Sequence, residues 1–73
     1  MKLKIVDYDE KNLIHICKFI NEHGNEETIR VDLTVDGSID KRYANKSLVG
    51  KTVDVGWLHA YEQIAHEVKL VKD

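Results

Sequence analysis

Between Thr28 and Asp36 the chain reads Thr-Ile-Arg-Val-Asp-Leu-Thr-Val-Asp, so Ile29, Val31, Leu33 and Val35 alternate strictly with Arg30, Asp32 and Thr34. Successive side chains of a strand point to opposite faces, and this pattern therefore buries one face and wets the other. At helical spacing the same four apolar residues would scatter around the axis. The alternation predicts a strand over Ile29–Val35. Its apolar face needs a covering layer, and a chain of 73 residues has little material to spare for one.

Other segments read as further strands. Lys2–Val6 is a first strand, followed by turn formers over Asp7–Asn12. Leu13–Ile20 is a nearly continuous isoleucine-rich run, as expected of a strand covered on both sides or curling within a small barrel. Glu22–Glu26, centred on Gly24, reads as a loop, so the first three strands form an antiparallel meander. Asp36-Gly37 is a hairpin signal, because glycine readily takes the positive φ of the primed turns. It leads to a short, polar returning strand over Ile39–Tyr43. Residues 44–50 form a connection with room for one helical turn. Lys51–Trp57 resumes alternation and sets Val53, Val55 and Trp57 on one face.

The last segment admits two readings. Trp57, Leu58, Tyr61, Ile64, Ala65 and Val68 fit an amphipathic helix. Against that, Trp57 has no N-cap before it, and Val68-Lys69-Leu70-Val71 favours β structure. The expectation is a turn at Ala60–Gln63 and a final strand. The fold class that follows is all-β: a small five-stranded antiparallel barrel, SH3-like or OB-like. Closure removes the open edges that invite aggregation. The alternative is an α+β arrangement, a four-stranded antiparallel sheet packed by a carboxy-terminal helix.

Composition bounds the setting. The chain is 42% hydrophobic and 33% charged, which suits one soluble folded domain over residues 1–73. Cys17 is the sole cysteine, which rules out an internal disulfide. With no apolar run behind Met1–Ile5 to act as a signal peptide, the expectation is a reducing, cytoplasmic location. No stretch approaches the roughly 18 apolar residues of a membrane span. The net charge is −2, with five basic and nine acidic side chains in residues 1–40 and six and four in residues 41–73. That mild asymmetry argues against a dedicated nucleic-acid binder, which carries a marked basic excess.

Several motifs dissolve on inspection. Gly50-Lys51-Thr52 resembles the end of a phosphate-cradling loop, but the glycine needed five positions earlier is Asn45, and Thr52 enters a strand rather than a helix. Asn45-Lys46-Ser47 matches a glycosylation acceptor that a cytoplasmic chain has no use for. Asp7, Asp9 and Glu10 lack the glycine and distal glutamate of a calcium loop. His15-Ile16-Cys17 puts an imidazole and a thiol on one side of a strand. A zinc site would have to complete that pair with His59 and His66, which nothing in the spacing requires. Cys17 is expected to be a small buried residue and His15 an edge or surface one.

Two surfaces remain. Lys41, Arg42, Lys46 and Lys51 surround Tyr43 and Asn45, an arrangement able to grip a nucleic-acid backbone while Tyr43 stacks on a base. Trp57, His59 and Tyr61 alternate, and in an extended chain they project from one face as an aromatic surface of the kind found at binding sites. The functional expectation is a non-catalytic interaction module, not an enzyme, that uses no cofactor. It binds a protein or peptide partner through Trp57, His59, Tyr61, Tyr43 and Arg42. A nucleic-acid-binding barrel and a metal-binding domain using His15, Cys17, His59 and His66 are the alternatives. A homodimer paired through an uncovered sheet edge is a further expectation.

Overall fold

The apolar alternations fold onto a common interior. The computed structural model describes residues 1–34, 39–40, 42–59 and 64–71. It contains the strands β1 (Lys2–Asp9), β2 (Ile14–Ile20), β3 (Glu26–Val31), β4 (Thr52–His59) and β5 (Ile64–Leu70), closed into a barrel in the order β1-β2-β3-β5-β4. The protein is all-β, as expected, and β5 is a strand rather than the alternative helix. The hairpin signal at Asp36-Gly37, Val35, Lys41 and the turn at Ala60–Gln63 lie outside the described residues.

The barrel is mixed rather than wholly antiparallel, for a reason of parity. Strand directions cannot alternate all the way around a closed ring with an odd number of members, so one neighbouring pair must run parallel. Here β3 and β5 are that pair, registered through Arg30 and Ile64. The other neighbours, β1–β2, β2–β3, β1–β4 and β4–β5, are antiparallel. The meander of the first three strands is thus present. Among the described residues each strand has a neighbour on both sides, with β3 and β5 meeting through a single registered pair.

The strand expected at Ile29–Val35 is displaced. Its ladder starts at Glu26 and ends at Val31. The Asp32 carboxylate accepts hydrogen bonds from the Thr34 amide at 3.0 Å and the Thr34 hydroxyl at 2.7 Å, turning the backbone out of the ladder. Leu33 is still buried, so the alternation correctly marked an inward residue that the ladder does not include. The earlier start follows from the β2–β3 turn. There Asn21 Oδ1 accepts from the amides of His23 and Asn25, and Gly24 takes a φ of 82°, which frees Glu26 to pair with Ile20.

The returning strand over Ile39–Tyr43 is not formed among the described residues. Asp40 gathers this segment into a turn: its carbonyl accepts from the amides of Tyr43 and Ala44, and its carboxylate from the amide and guanidinium of Arg42. The guanidinium holds the Asp40 carboxyl below its ordinary range. The connection continues through Asn45, whose side chain caps a 3-10 turn at Lys46–Leu48 by accepting from Ser47 N at 2.8 Å. Ala44 is buried and Leu48 packs against the core.

Closing so few strands needs sharp coiling, and bulge-like steps supply it. On β1 the register slips between Ile5 and Asp7, and the inward set passes from Ile5 to Tyr8, which faces His15. On the axis Ile5, Ile29, Val31, Val53, Val55 and Val68 are all but inaccessible. Truncating Ile5 to alanine is expected to cost about 2–5 kcal/mol in urea unfolding. Ile20→Ala, on the solvent side of β2, should stay within about 0.5 kcal/mol.

Candidate functional site

The hairpin of β4 and β5 decides where the aromatic residues point. Val53 and Val55 face inward on β4, but the next inward residue is Leu58; on β5 inward positions pass from Ala65 to Val68. Both strands thus advance by three residues instead of two at the same level, across Gly56 and Glu67. Glu67 has a φ of 54°, a left-handed conformation unusual for a residue with a Cβ. Gly56 faces it so closely that a Cβ there would lie 2.7 Å from Glu67 Cβ. The expectation that Val53, Val55 and Trp57 share one face is therefore overturned at Trp57. The strained Glu67 and the bare Gly56 shift the phase of the hairpin and turn the indole outward, leaving it 48% exposed.

Outside, the indole meets imidazoles. Trp57 and His66 are paired across the strands, and their rings stack at 4.2 Å between centroids and 14° between planes. His59 lies on the same face, with its ring centroid 6.4 Å from Trp57 and 6.5 Å from His66. The pairing register extends this cluster around the barrel. His59 opposes Ile64, Ile64 opposes Arg30, and Arg30 opposes Ile16. The result is a band of outward residues across β4, β5, β3 and β2, running His59–Ile64–Arg30–Ile16. Beside it, Ile14, Arg30, Asp32 and Ile64 line a groove of about 250 Å³.

Of the residues expected to bind, the structure brings Trp57 and His59 together. Tyr61 lies outside the described residues. Arg42 and Tyr43 sit apart in sequence, on the connection between β3 and β4. The Arg42 guanidinium is held by Asp40 at 3.0 Å and lies 5.7 Å from the centroid of the Tyr43 ring, which is 64% exposed. Lys46 and Lys51, later in the same connection, are exposed. Sequence reasoning missed His66 as a member of the aromatic face, together with Ile16, Arg30 and Ile64. A signal was available for His66. The turn expected at Ala60–Gln63 would set His59 opposite Ile64 and, two steps further along the hairpin, Trp57 opposite His66.

His15 and Cys17 lie on the opposite side of the wall. Both are inaccessible inside the barrel, so the quartet His15, Cys17, His59 and His66 is split between interior and exterior. Among the described residues no three His, Cys, Asp or Glu side chains gather in a metal-binding arrangement. The expectation that His15 is an edge or surface residue is overturned. It faces Tyr8, with ring centroids 4.5 Å apart, and its Nε2 lies 2.9 Å from the Asn45 carbonyl. A carbonyl oxygen only accepts, so Nε2 carries the hydrogen. His15 thereby ties the β3–β4 connection to β2, while its Nδ1 has no partner among the described residues.

Comparison with protein families, with characterised proteins and with solved structures returns no match.

Burial pushes the Cys17 thiol up from its ordinary 9.0 to about 11. The folded barrel therefore favours the protonated thiol. This contribution to stability is complete below pH 9 and is lost as pH rises from 9 through 11. Thiol labelling by a disulfide reagent at pH 8 is expected to await unfolding, and the alkaline fall in stability should be shallower in Cys17→Ala. Gly56→Ala, forced against Glu67, is expected to destabilise by about 1–3 kcal/mol. Glu67→Gly, which relieves the left-handed backbone, should be neutral or stabilising by about 1 kcal/mol in the same urea measurement.

Proposed function

We propose that this barrel is a non-catalytic interaction module, OB-like in its arrangement, which binds an extended segment of a protein or peptide partner. The face used is built on Trp57, His59 and His66 and continues through Ile64 and Arg30. The observation that carries this reading is the outward turn of Trp57. An indole is among the largest apolar groups the chain could bury, yet a strained Glu67 and an obligate small residue at Gly56 hold it at the surface. Strain of this kind concentrates at functional positions.

The chemistry of the face favours a peptide. Tryptophan and arginine are the residue types that dominate interface energetics; Ile64 supplies apolar contact between them and Ile16 extends it beyond Arg30. The fixed charges nearby are mixed, with Arg30 offset by Asp32 and Glu67, so the face lacks the basic field that a phosphate backbone requires. The OB-like proposal is supported by strand order. Placing the fifth strand between the third and fourth departs from a simple meander in the Greek-key manner of such barrels. That arrangement also hosts oligonucleotide binding, which makes nucleic acid the second reading.

Selection of a displayed random-peptide library on the folded protein provides the ligand for the test. Selected peptides are expected to shift Trp57 emission on binding. Trp57→Ala should weaken their affinity about tenfold or more with its circular dichroism unchanged, and Ile20→Ala should bind as the parent does. A fifteen-residue oligothymidylate that saturates the same emission change more tightly than any selected peptide would transfer the face to nucleic acid.

A further inference from the structure

The wall of the barrel is unevenly sewn. β2 and β3 are registered from His15–Val31 to Ile20–Glu26, and β4 and β5 from Val53–Leu70 to His59–Ile64, whereas β3 and β5 share the pair Arg30–Ile64 alone. That margin is also the parallel one, and parallel ladders are slightly weaker per residue than antiparallel ones. The two strands pass in stagger: β3 ends at Val31, one residue beyond the shared pair, and β5 begins at Ile64, within it. Among the described residues, 26–29 of β3 and 65–70 of β5 therefore have ladder partners only toward β2 and β4. A strand edge with open amides and carbonyls is a template for another strand.

We propose that the β3–β5 margin is a slot for a sixth strand, supplied by an extended partner segment that alternates apolar with polar residues and runs antiparallel to both β3 and β5. Parity sets the direction. β3 and β5 are parallel, so a strand laid between them runs opposite to each, and a ring of six alternates throughout. The interior of a barrel widens with strand number. Every second residue of the added strand faces that interior beside Ile29, Val31, Ala65 and Val68, all buried, which is why those residues must be apolar. The others face outward, where both members of the shared pair line the groove of about 250 Å³ with Ile14 and Asp32. The slot rests on the reading of this barrel as a peptide-binding module and gives it a mode of recognition, in which main-chain hydrogen bonds supply affinity and the alternation supplies selectivity. It is continuous with the Trp57 face, because Ile64 pairs with Arg30 on one side and with His59 on the other.

Peptides selected on the folded protein are the probe. N-methylating one backbone amide at a time removes one ladder hydrogen bond and leaves every side chain in place. Alternate amides of an inserted strand face β3 and β5, so losses of about tenfold are expected at both odd and even positions of the peptide. Losses confined to one parity mean a strand added to a single edge, and no loss at any position means docking on the surface; either result overturns the slot. A second arm bolts the margin shut. Arg30→Cys and Ile64→Cys, combined in a Cys17→Ala background, place two thiols on registered neighbours. Oxidation is expected to weaken peptide binding about tenfold or more relative to the same protein reduced, with circular dichroism equal in the two states. Equal affinity of the bolted and reduced forms overturns the proposal. Self-association that displaces the peptide and is abolished by the bolt gives the margin to a second copy instead. Failure of the aromatic face reads differently: unchanged affinity in Trp57→Ala removes the indole from recognition, while the N-methyl scan and the bolt still decide the slot.

Discussion

Five strands closed in a ring cannot all run opposite to their neighbours, and this parity condition organises the molecule. One adjacent pair must be parallel. Parallel neighbours cannot be joined by a tight hairpin, so their connection has to travel. Here the chain leaves β3, crosses residues 32–51 with Ala44 and Leu48 turned toward the interior, runs out along β1 as β4, and returns as β5 to meet β3. His15 fastens that crossing segment through the Asn45 carbonyl. The buried histidine is thus part of how the long connection is held, rather than a stray polar group in an apolar interior.

The second organising device is the local advance by three residues. A small barrel demands more curvature than an ideal strand provides, and each irregular step bends the chain while exchanging the faces of everything beyond it. On β1 this step brings Tyr8 against His15. On the β4–β5 hairpin it occurs on both strands at one level, so the ladder stays in register while the side chains on both change sides. Curvature and the outward placement of Trp57 are consequences of the same pair, Gly56 and Glu67.

The parts of the fold that could be read from the sequence were those governed by period-2 burial. All five strands, the meander and the terminal strand in place of a helix follow from where isoleucine and valine recur. What could not be read is where alternation continues without a ladder, or fails inside one. Leu33 keeps its place in the alternation although Asp32 has already turned the chain, because burial is set by where a side chain points and pairing by the backbone. Trp57 breaks the alternation because Glu67, distant in sequence, adopts a left-handed backbone that its residue type does not advertise. His15 was read as a surface residue because imidazole is polar; its acceptor, the Asn45 carbonyl, belongs to a segment thirty residues away. On the candidate face, the alternation of Trp57 and His59 was legible. Their union with His66 and Ile64 follows from the antiparallel hairpin that the expected turn implies, whereas the union with Arg30 was not legible, because it depends on the parallel closure.

The β4–β5 hairpin carries a ladder of its own from Val53–Leu70 to His59–Ile64; it is moored to β1 by the Lys2–Lys4 pairing, extended by hydrogen bonds between Met1 and Val55, and to β3 by Arg30 alone. Of these two margins the one against β3 is the thinner. In the language of native-state exchange, the hairpin is a leaf whose weaker margin is the one against β3, where a single pair registers the strands. The indole and both imidazoles ride on that leaf, so a swing of the hairpin carries the aromatic face as one plate and separates it from Arg30 in a single motion.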